Sequence, residues 1–280
     1  MSLTIFCLII LSGLLHASWN TLAKYVGKNT AILWLSMSLG GWLGIPYLIW
    51  IQSTINWPLL LFWGLISAIT HALYYITLTH SYAHFSLSTI YPISRGLGIT
   101  ITSFVSFFYF NDLLTFFGLL GIAFVLMGII IFHHSHTNAS VPAQGIRWGI
   151  LVGITIASYL VTDYLALQYI PVDQLVWVIF IFMSILLFPY LYYFRRADLQ
   201  ETLAHKKGIA ILIGCLSFLS YFLILWVLRT SPLGYVVALR ETSIIFAGFL
   251  AWAFLKESFS IKKCFAIFFL CLGAIIIKIS

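Results

Sequence analysis

The chain has 280 residues, of which 62% are hydrophobic and 8% charged, with 14 lysines and arginines against 7 aspartates and glutamates. A water-soluble domain carries about a quarter charged residues, so this chain has nothing with which to cover a soluble core, and that class is excluded. Ten crossings of about 20 residues, the length that spans roughly 30 Å of hydrocarbon, use most of the chain and leave room only for loops. The net charge of +7 is therefore assigned to lipid headgroups and topology, not to nucleic acid.

In chain order, the apolar runs predict helices near 3–23, 31–51, 58–79, 86–109, 113–132, 146–168, 173–194, 208–228, 232–254 and 260–279. The first run lacks a basic start and a small-residue cleavage site, so it reads as a retained helix and not a signal peptide. On it His16, Asn20 and Lys24 recur every four residues and share one face; Lys24 is expected to reach the membrane interface. His71, Tyr74 and Tyr75 form a polar and aromatic patch on the third helix. On the fourth, Tyr91 and Arg95 share a face, with Pro92 between them as a candidate kink. Asp163 falls inside the sixth helix, behind a small-residue ridge of Gly145, Gly149 and Gly153 suited to close packing within the chain or against a second subunit. Arg240 and Glu241 fall inside the ninth. Cys7, Cys215, Cys264 and Cys271 sit in apolar runs without metal-site spacing and read as inert packing residues.

A shift of 145 residues superposes the stretch Ser86–Ile131 on Ser231–Ile276 without a gap. It carries Arg95 onto Arg240, Asp112 onto Glu257, Gly128 onto Gly273 and Ser86 onto Ser231. Coincidence of two charges, a serine and a glycine at one offset favours duplication over chance apolar similarity. The expected fold is thus an all-α integral membrane protein of ten transmembrane helices, built as two five-helix repeats over residues 1–137 and 145–280. Five is odd, so the second repeat lies upside down, an arrangement that places a transporter site at the midplane junction. If the N-terminus were inside, that side would carry only Arg229 and Lys278. The opposite side would carry ten basic residues, a bias that favours both termini outside.

A charge at the bilayer centre costs about 2.5–3.5 kcal/mol on the insertion scale, so Arg95, Asp163, Arg240 and Glu241 need a reason to be there. One reading makes Arg95 and Arg240 a cationic pair for an anionic or zwitterionic substrate, since a guanidinium fork matches carboxylate and phosphate. The other makes each arginine the structural partner of an acid. Asp163 and Glu241 are candidates for charge balance or for carrying a coupling proton. His80 and His84 have H-x-x-x-H spacing, and His133, His134 and His136 cluster in a loop, but the further boxes of a membrane di-iron enzyme are missing. No P-loop and no G-x-S-x-G motif occurs, which excludes an ATP-driven pump by this chain alone.

The segments His16-Ala17-Ser18-Trp19-Asn20 with Lys24, His71-Ala72-Leu73-Tyr74-Tyr75, Tyr91-Pro92-Ile93-Ser94-Arg95-Gly96, Ala238-Leu239-Arg240-Glu241 and Leu255-Lys256-Glu257 resemble a ten-helix member of the EamA branch of the drug/metabolite transporter superfamily. The resemblance spans nearly the whole chain and implies two inverted repeats around a central cavity with alternating access. It puts His16, Asn20, Tyr91, Arg95, Arg240 and Glu241 at that cavity. Relatives with basic residues between the second and third helices keep the N-terminus inside. Here Gln52 to Pro58 is uncharged, so the family habit and the charge bias differ.

The expectation is a multi-pass secondary transporter of the bacterial inner membrane, not an enzyme, for a small polar metabolite that is anionic or zwitterionic. His16, Asn20, His71, Tyr74, Tyr75, Tyr91, Arg95, Arg240 and Glu241 are expected to bind substrate, with Asp163 and Glu241 balancing charge or coupling to protons. No cofactor, metal or nucleic acid is expected; the lipid bilayer is the partner, and a homodimer stays open. The alternatives are a membrane-embedded metal-dependent enzyme using the histidines and a non-transporting assembly subunit.

Overall fold

The computed structural model describes residues 1–26, 29, 31–85, 87–134, 143–255 and 261–280, and among them it holds helices and no strand. The helices are α1 (Leu3–Val26), α2 (Ala31–Trp42), α3 (Ile45–Trp50), α4 (Trp57–His84), α5 (Leu87–Phe108), α6 (Phe116–His134), α7 (Ala143–Ala166), α8 (Val172–Phe194), α9 (Arg196–His205), α10 (Lys207–Leu228), α11 (Leu233–Arg240), α12 (Ser243–Leu255) and α13 (Ile261–Ile279). Seven helical stretches among the described residues are long and apolar enough to cross a membrane, and Phe116–Phe132 is a shorter apolar one. Of the other long helices, α5 carries Arg95, and α13 carries Lys262, Lys263 and Lys278.

The elements depart from the sequence reading at four places. The second run is broken after Trp42, where the backbone of Gly41 lies against α8: a Cβ there would meet the Ile181 nitrogen at 2.7 Å. Pro46 then sits in the first turn of α3, where its missing N–H costs nothing. The ninth run is broken at Glu241-Thr242, whose amides bond three residues back to Ala238 and Leu239 at 3.2 and 3.1 Å. Helix α4 continues through His80–His84 to the end of that polar stretch, because polar residues without glycine or proline do not stop a helix. In the loop Arg195–Lys207, α9 places Asp198 in its first turn and His205 in its last, as the helix dipole favours.

Packing fixes the centre. Helix α1 lies on α10 and α12, α4 on α7 and α8, α2 on α8 and α10, α5 on α7 and α11, and α6 on α13. Ser12 and Ser220 clasp α1 to α10, each hydroxyl donating to the other's carbonyl, at 2.7 and 2.9 Å. At the α6–α13 contact a Cβ on Gly273 would stand 2.6 Å from the Gly121 carbonyl, and one on Gly128 3.0 Å from the Ala266 carbonyl. The glycine ridge of α7 faces α5: Gly149 meets Ile93, and Gly153 meets Leu97 and the Ser94 carbonyl. At Gly149 and Gly153 the chain itself packs against the ridge. The four cysteines are free and exposed, a correction to their reading as packing residues: an apolar run does not reveal which face of a helix turns outward.

Candidate functional site

Helix α11 is short, and its position is set at both ends. At its start Asp112, in the turn after α5, accepts from the Leu233 amide at 3.2 Å, from the Ser106 hydroxyl at 2.5 Å and from the Tyr164 hydroxyl at 3.0 Å. The Ser106 hydroxyl in turn accepts from the Gly234 amide at 3.2 Å. These acceptors meet amides that a helix start leaves without partners. Glu257, the residue matched to Asp112 by the 145-residue shift, lies outside the described residues. At the other end the tight turn at Glu241-Thr242 buries Arg240 and Glu241, at 8% and 3% exposure.

Where α5 crosses α11, the Arg95 guanidinium meets Glu241 with Nη1 to Oε1 at 3.3 Å and lies over the Tyr91 ring at 5.2 Å. The Tyr91 hydroxyl reaches the other Glu241 oxygen at 3.5 Å. Arg240 turns from this pair. Its Nη2 stands 3.5 Å from His16 Nδ1, its guanidinium lies 5.9 Å over the Tyr221 ring, and its buried Nε has no hydrogen-bond partner among the described residues. No carboxylate pairs with it there. Arg95, Tyr159, Arg240 and Glu241, with Ile99 and Ile156, line a central cavity whose free volume is about 10 Å³, barely enough for one water.

A second polar cluster lies beside the cavity. Asp163 on α7 is wholly buried and accepts from the hydroxyls of Ser67 on α4 and Tyr221 on α10. His71 Nε2 stands 2.9 Å from the Tyr221 hydroxyl and 3.6 Å from Asp163 Oδ2, while His71 Nδ1 faces the Ser67 carbonyl at 2.9 Å. The His71 ring rests on Tyr159, centroid to centroid 4.3 Å, and Tyr159 on Tyr74 at 5.2 Å.

The sequence-derived residues thus divide. Arg95, Arg240 and Glu241 line the cavity, Tyr91 meets Arg95 and Glu241, and His16 meets Arg240, while His71 and Asp163 join the second cluster. Tyr74 stacks on Tyr159, a cavity-lining ring, and Tyr75 is buried in the hydrophobic core. Asn20 is exposed and donates to the His16 carbonyl of its own helix at 2.8 Å, so its amide is not brought to the arginines. Ser67, Tyr159 and Tyr221 escaped the sequence reading. Ser67 was open to discovery, four residues before His71 on the same face, whereas nothing marked the two tyrosines among so many aromatics. The His80 and His84 rings stack on each other at 4.3 Å, and the His80 ring alone also rests on Trp148, at 4.3 Å. Among the described residues no three His, Cys, Asp or Glu side chains gather where a metal could sit; the side chains of His133 and His134, and His136, lie outside them.

Comparison with known proteins adds the following. Residues 143–279 match the model of the EamA-like transporter family. No curated protein matches the chain. A protein of known crystal structure is similar over 100% of this chain and 98% of its own, with a TM-score of 0.74 at 14% identity, a likeness of fold.

Proposed function

Since the second half of the chain, residues 143–279, belongs to the EamA-like transporter family of the drug/metabolite transporter superfamily, we propose that this multi-pass membrane transporter moves a small anionic or zwitterionic metabolite, held at Arg240. The observation that carries this reading is the uneven treatment of the two central arginines. Arg95 spends its charge on Glu241, whereas Arg240 is buried with an orphaned Nε and no acid partner among the described residues. An uncompensated buried charge costs several kcal/mol, and a guanidinium with free donors suits a carboxylate or a phosphate. Tyr91, Tyr159, Tyr221 and His16 surround the position such a group would take.

Ten crossings in two inverted repeats, residues 1–137 and 145–280, belong to the same proposal. Two helix pairs support it by exchanging under the 145-residue shift: α1 on α10 answers to α7 on α4, and α2 on α10 to α8 on α4. The Gly128–Ala266 contact likewise becomes Gly273–Gly121. Ten basic residues against two support both termini lying outside, in an inner membrane. The cavity has room for barely one water, which corresponds to a closed state that must open toward one side before substrate enters. His80 and His84 are left out of the site.

The test is thermal stability of the purified chain against carboxylates, phosphates, phosphonates, amines and sugars. A ligand at 100 times its Kd stabilises by about 2.7 kcal/mol. An anion is expected to raise the melting temperature of the wild type and to leave Arg240→Gln unmoved. Stabilisation by cations alone overturns the reading.

A further inference from the structure

The cluster around Asp163 contains more hydrogen-bond contacts than its neutral donors can fill. His71 Nδ1 faces the Ser67 carbonyl, which only accepts, so Nδ1 carries a hydrogen. His71 Nε2 and the Tyr221 hydroxyl oxygen form a second contact at 2.9 Å, and that oxygen and Asp163 Oδ2 form a third. Each contact needs one hydrogen. A neutral imidazole brings one and the phenol brings one, so the third must be an added proton. Ser67 supplies none of the three, because its own hydrogen goes to Asp163 Oδ1.

We propose that Ser67, His71, Asp163 and Tyr221 form a proton-binding site that holds one proton beyond neutral imidazole, phenol and carboxylate, and that this proton is bound together with an anion at Arg240. The second half of the proposal rests on the anion reading of Arg240; the first does not. The added proton has two places, related by a balanced double transfer. In one, His71 is an imidazolium and Asp163 a carboxylate. In the other, the Nε2–H bond has broken and the hydrogen has moved to the tyrosine oxygen. The original phenolic hydrogen has then passed to Oδ2, giving a neutral imidazole and a carboxylic acid. Both forms have no net charge. Loss of the proton to water leaves a charge of −1 and one contact without a hydrogen.

The link to Arg240 runs through Tyr221, whose ring lies under the guanidinium and whose hydroxyl touches Asp163. When the cluster is neutral, the charge of Arg240 is unopposed and an anion is favoured. When the cluster is anionic it opposes that charge, and the anion is released; by reciprocity the anion tightens the proton. The other charged and titratable groups facing Asp163 leave this balance in place. From α4 they are His71 and Tyr74, and from α10 Tyr221. Helix α7 itself adds Tyr159, and Tyr164, which is engaged with Asp112. From α5 they are Tyr91 and Arg95, which are spent on Glu241 of the α11–α12 turn.

The experiment is an infrared pH titration of the purified full chain in detergent, with no anion but buffer chloride. It follows the carboxylic-acid and imidazolium bands in the wild type, Asp163→Asn, His71→Gln, Tyr221→Phe and Arg240→Gln. Both bands are expected to titrate in the wild type, the carboxylic-acid band being lost in Asp163→Asn and the imidazolium band in His71→Gln. In Tyr221→Phe the midpoint falls, since the contacts that call for the added hydrogen are gone. In Arg240→Gln the midpoint rises by a unit or more, at least tenfold in proton affinity, because a cation that favoured the deprotonated cluster has been removed. Should the first two variants fail to fold, the Tyr221→Phe and Arg240→Gln shifts decide alone. A carboxylic-acid band that survives Asp163→Asn, or an imidazolium band that survives His71→Gln, overturns the site, and an unmoved midpoint in Arg240→Gln overturns the link. Neither result depends on whether any anion of the stability panel binds, so the two readings fail separately.

Discussion

Arg95 and Arg240 stand 145 residues apart at matching places in two similar stretches, yet the residue that follows each one differs: Gly96 in the first, Glu241 in the second. The single acid serves the arginine of the other stretch. Arg95 is thereby neutralised across the α5–α11 crossing, and Arg240, next to Glu241 in sequence, is left to His16 and the face of Tyr221. Matching positions in two similar stretches need not have the same surroundings. With that one glycine-to-glutamate difference, Arg95 has an acid partner and Arg240 has none among the described residues.

The comparison can be broken most forcefully by removing each arginine in turn. Arg95→Gln strands Glu241 in a buried site and is expected to cost about 3–5 kcal/mol, read as a loss of melting temperature. Arg240→Gln removes an unpaired charge, so the fold is expected to be as stable as the wild type or more so, with transport lost. Equal destabilisation by both variants sinks the distinction. Next comes the pair together: Arg95→Gln with Glu241→Gln is expected to recover about 0.5–3 kcal/mol relative to the sum of the single variants. Strict additivity in that cycle means the 3.3 Å contact carries no coupling.

Smaller effects probe the likeness of the halves. Gly128→Ala and Gly273→Ala press a methyl against the Ala266 and Gly121 carbonyls, and each is expected to cost about 1–3 kcal/mol by overpacking. Similar losses support two equivalent contacts; a cost at one glycine alone speaks against them. The smallest effect is at the surface. Glu201 accepts from Lys206 at 2.8 Å and from Asn29 at 3.0 Å, and the Lys206 hydrogen bond holds its carboxyl below the ordinary range. A depressed carboxyl stabilises the fold above its unfolded pKa, and that contribution fades as pH falls through the folded pKa. Glu201→Gln should therefore flatten the acid limb of the stability profile slightly. An unchanged acid limb refutes it, and high salt should shrink the difference.

Composition and apolar runs were enough to read an all-helical membrane chain, since length and hydropathy set what a bilayer accepts. Their blind spots have physical causes. The break after Trp42 depends on how closely α8 approaches Gly41, and the turn at Glu241-Thr242 on bonds three residues back, neither of which has a local periodicity. At the site, charged residues announced themselves by their cost in lipid, which is why Arg95, Asp163, Arg240 and Glu241 stood out. Tyr221 and Tyr159 did not, because a tyrosine in an apolar run is ordinary until its hydroxyl is seen to meet a buried acid. Asn20 shows the converse: a polar side chain on a helix can satisfy itself on its own backbone four residues away.

The narrowness of the central cavity bears on the energy economy of the membrane. A transmembrane potential is worth about 2.3 kcal/mol per elementary charge per 100 mV, and any continuous thread of water through a carrier would let ions run that gradient down. With about 10 Å³ free between the arginines and the α7 side chains, this cavity has no room for such a thread. In the proposed carrier, the tightness that slows passage compared with a pore is also what keeps an energised membrane from being discharged.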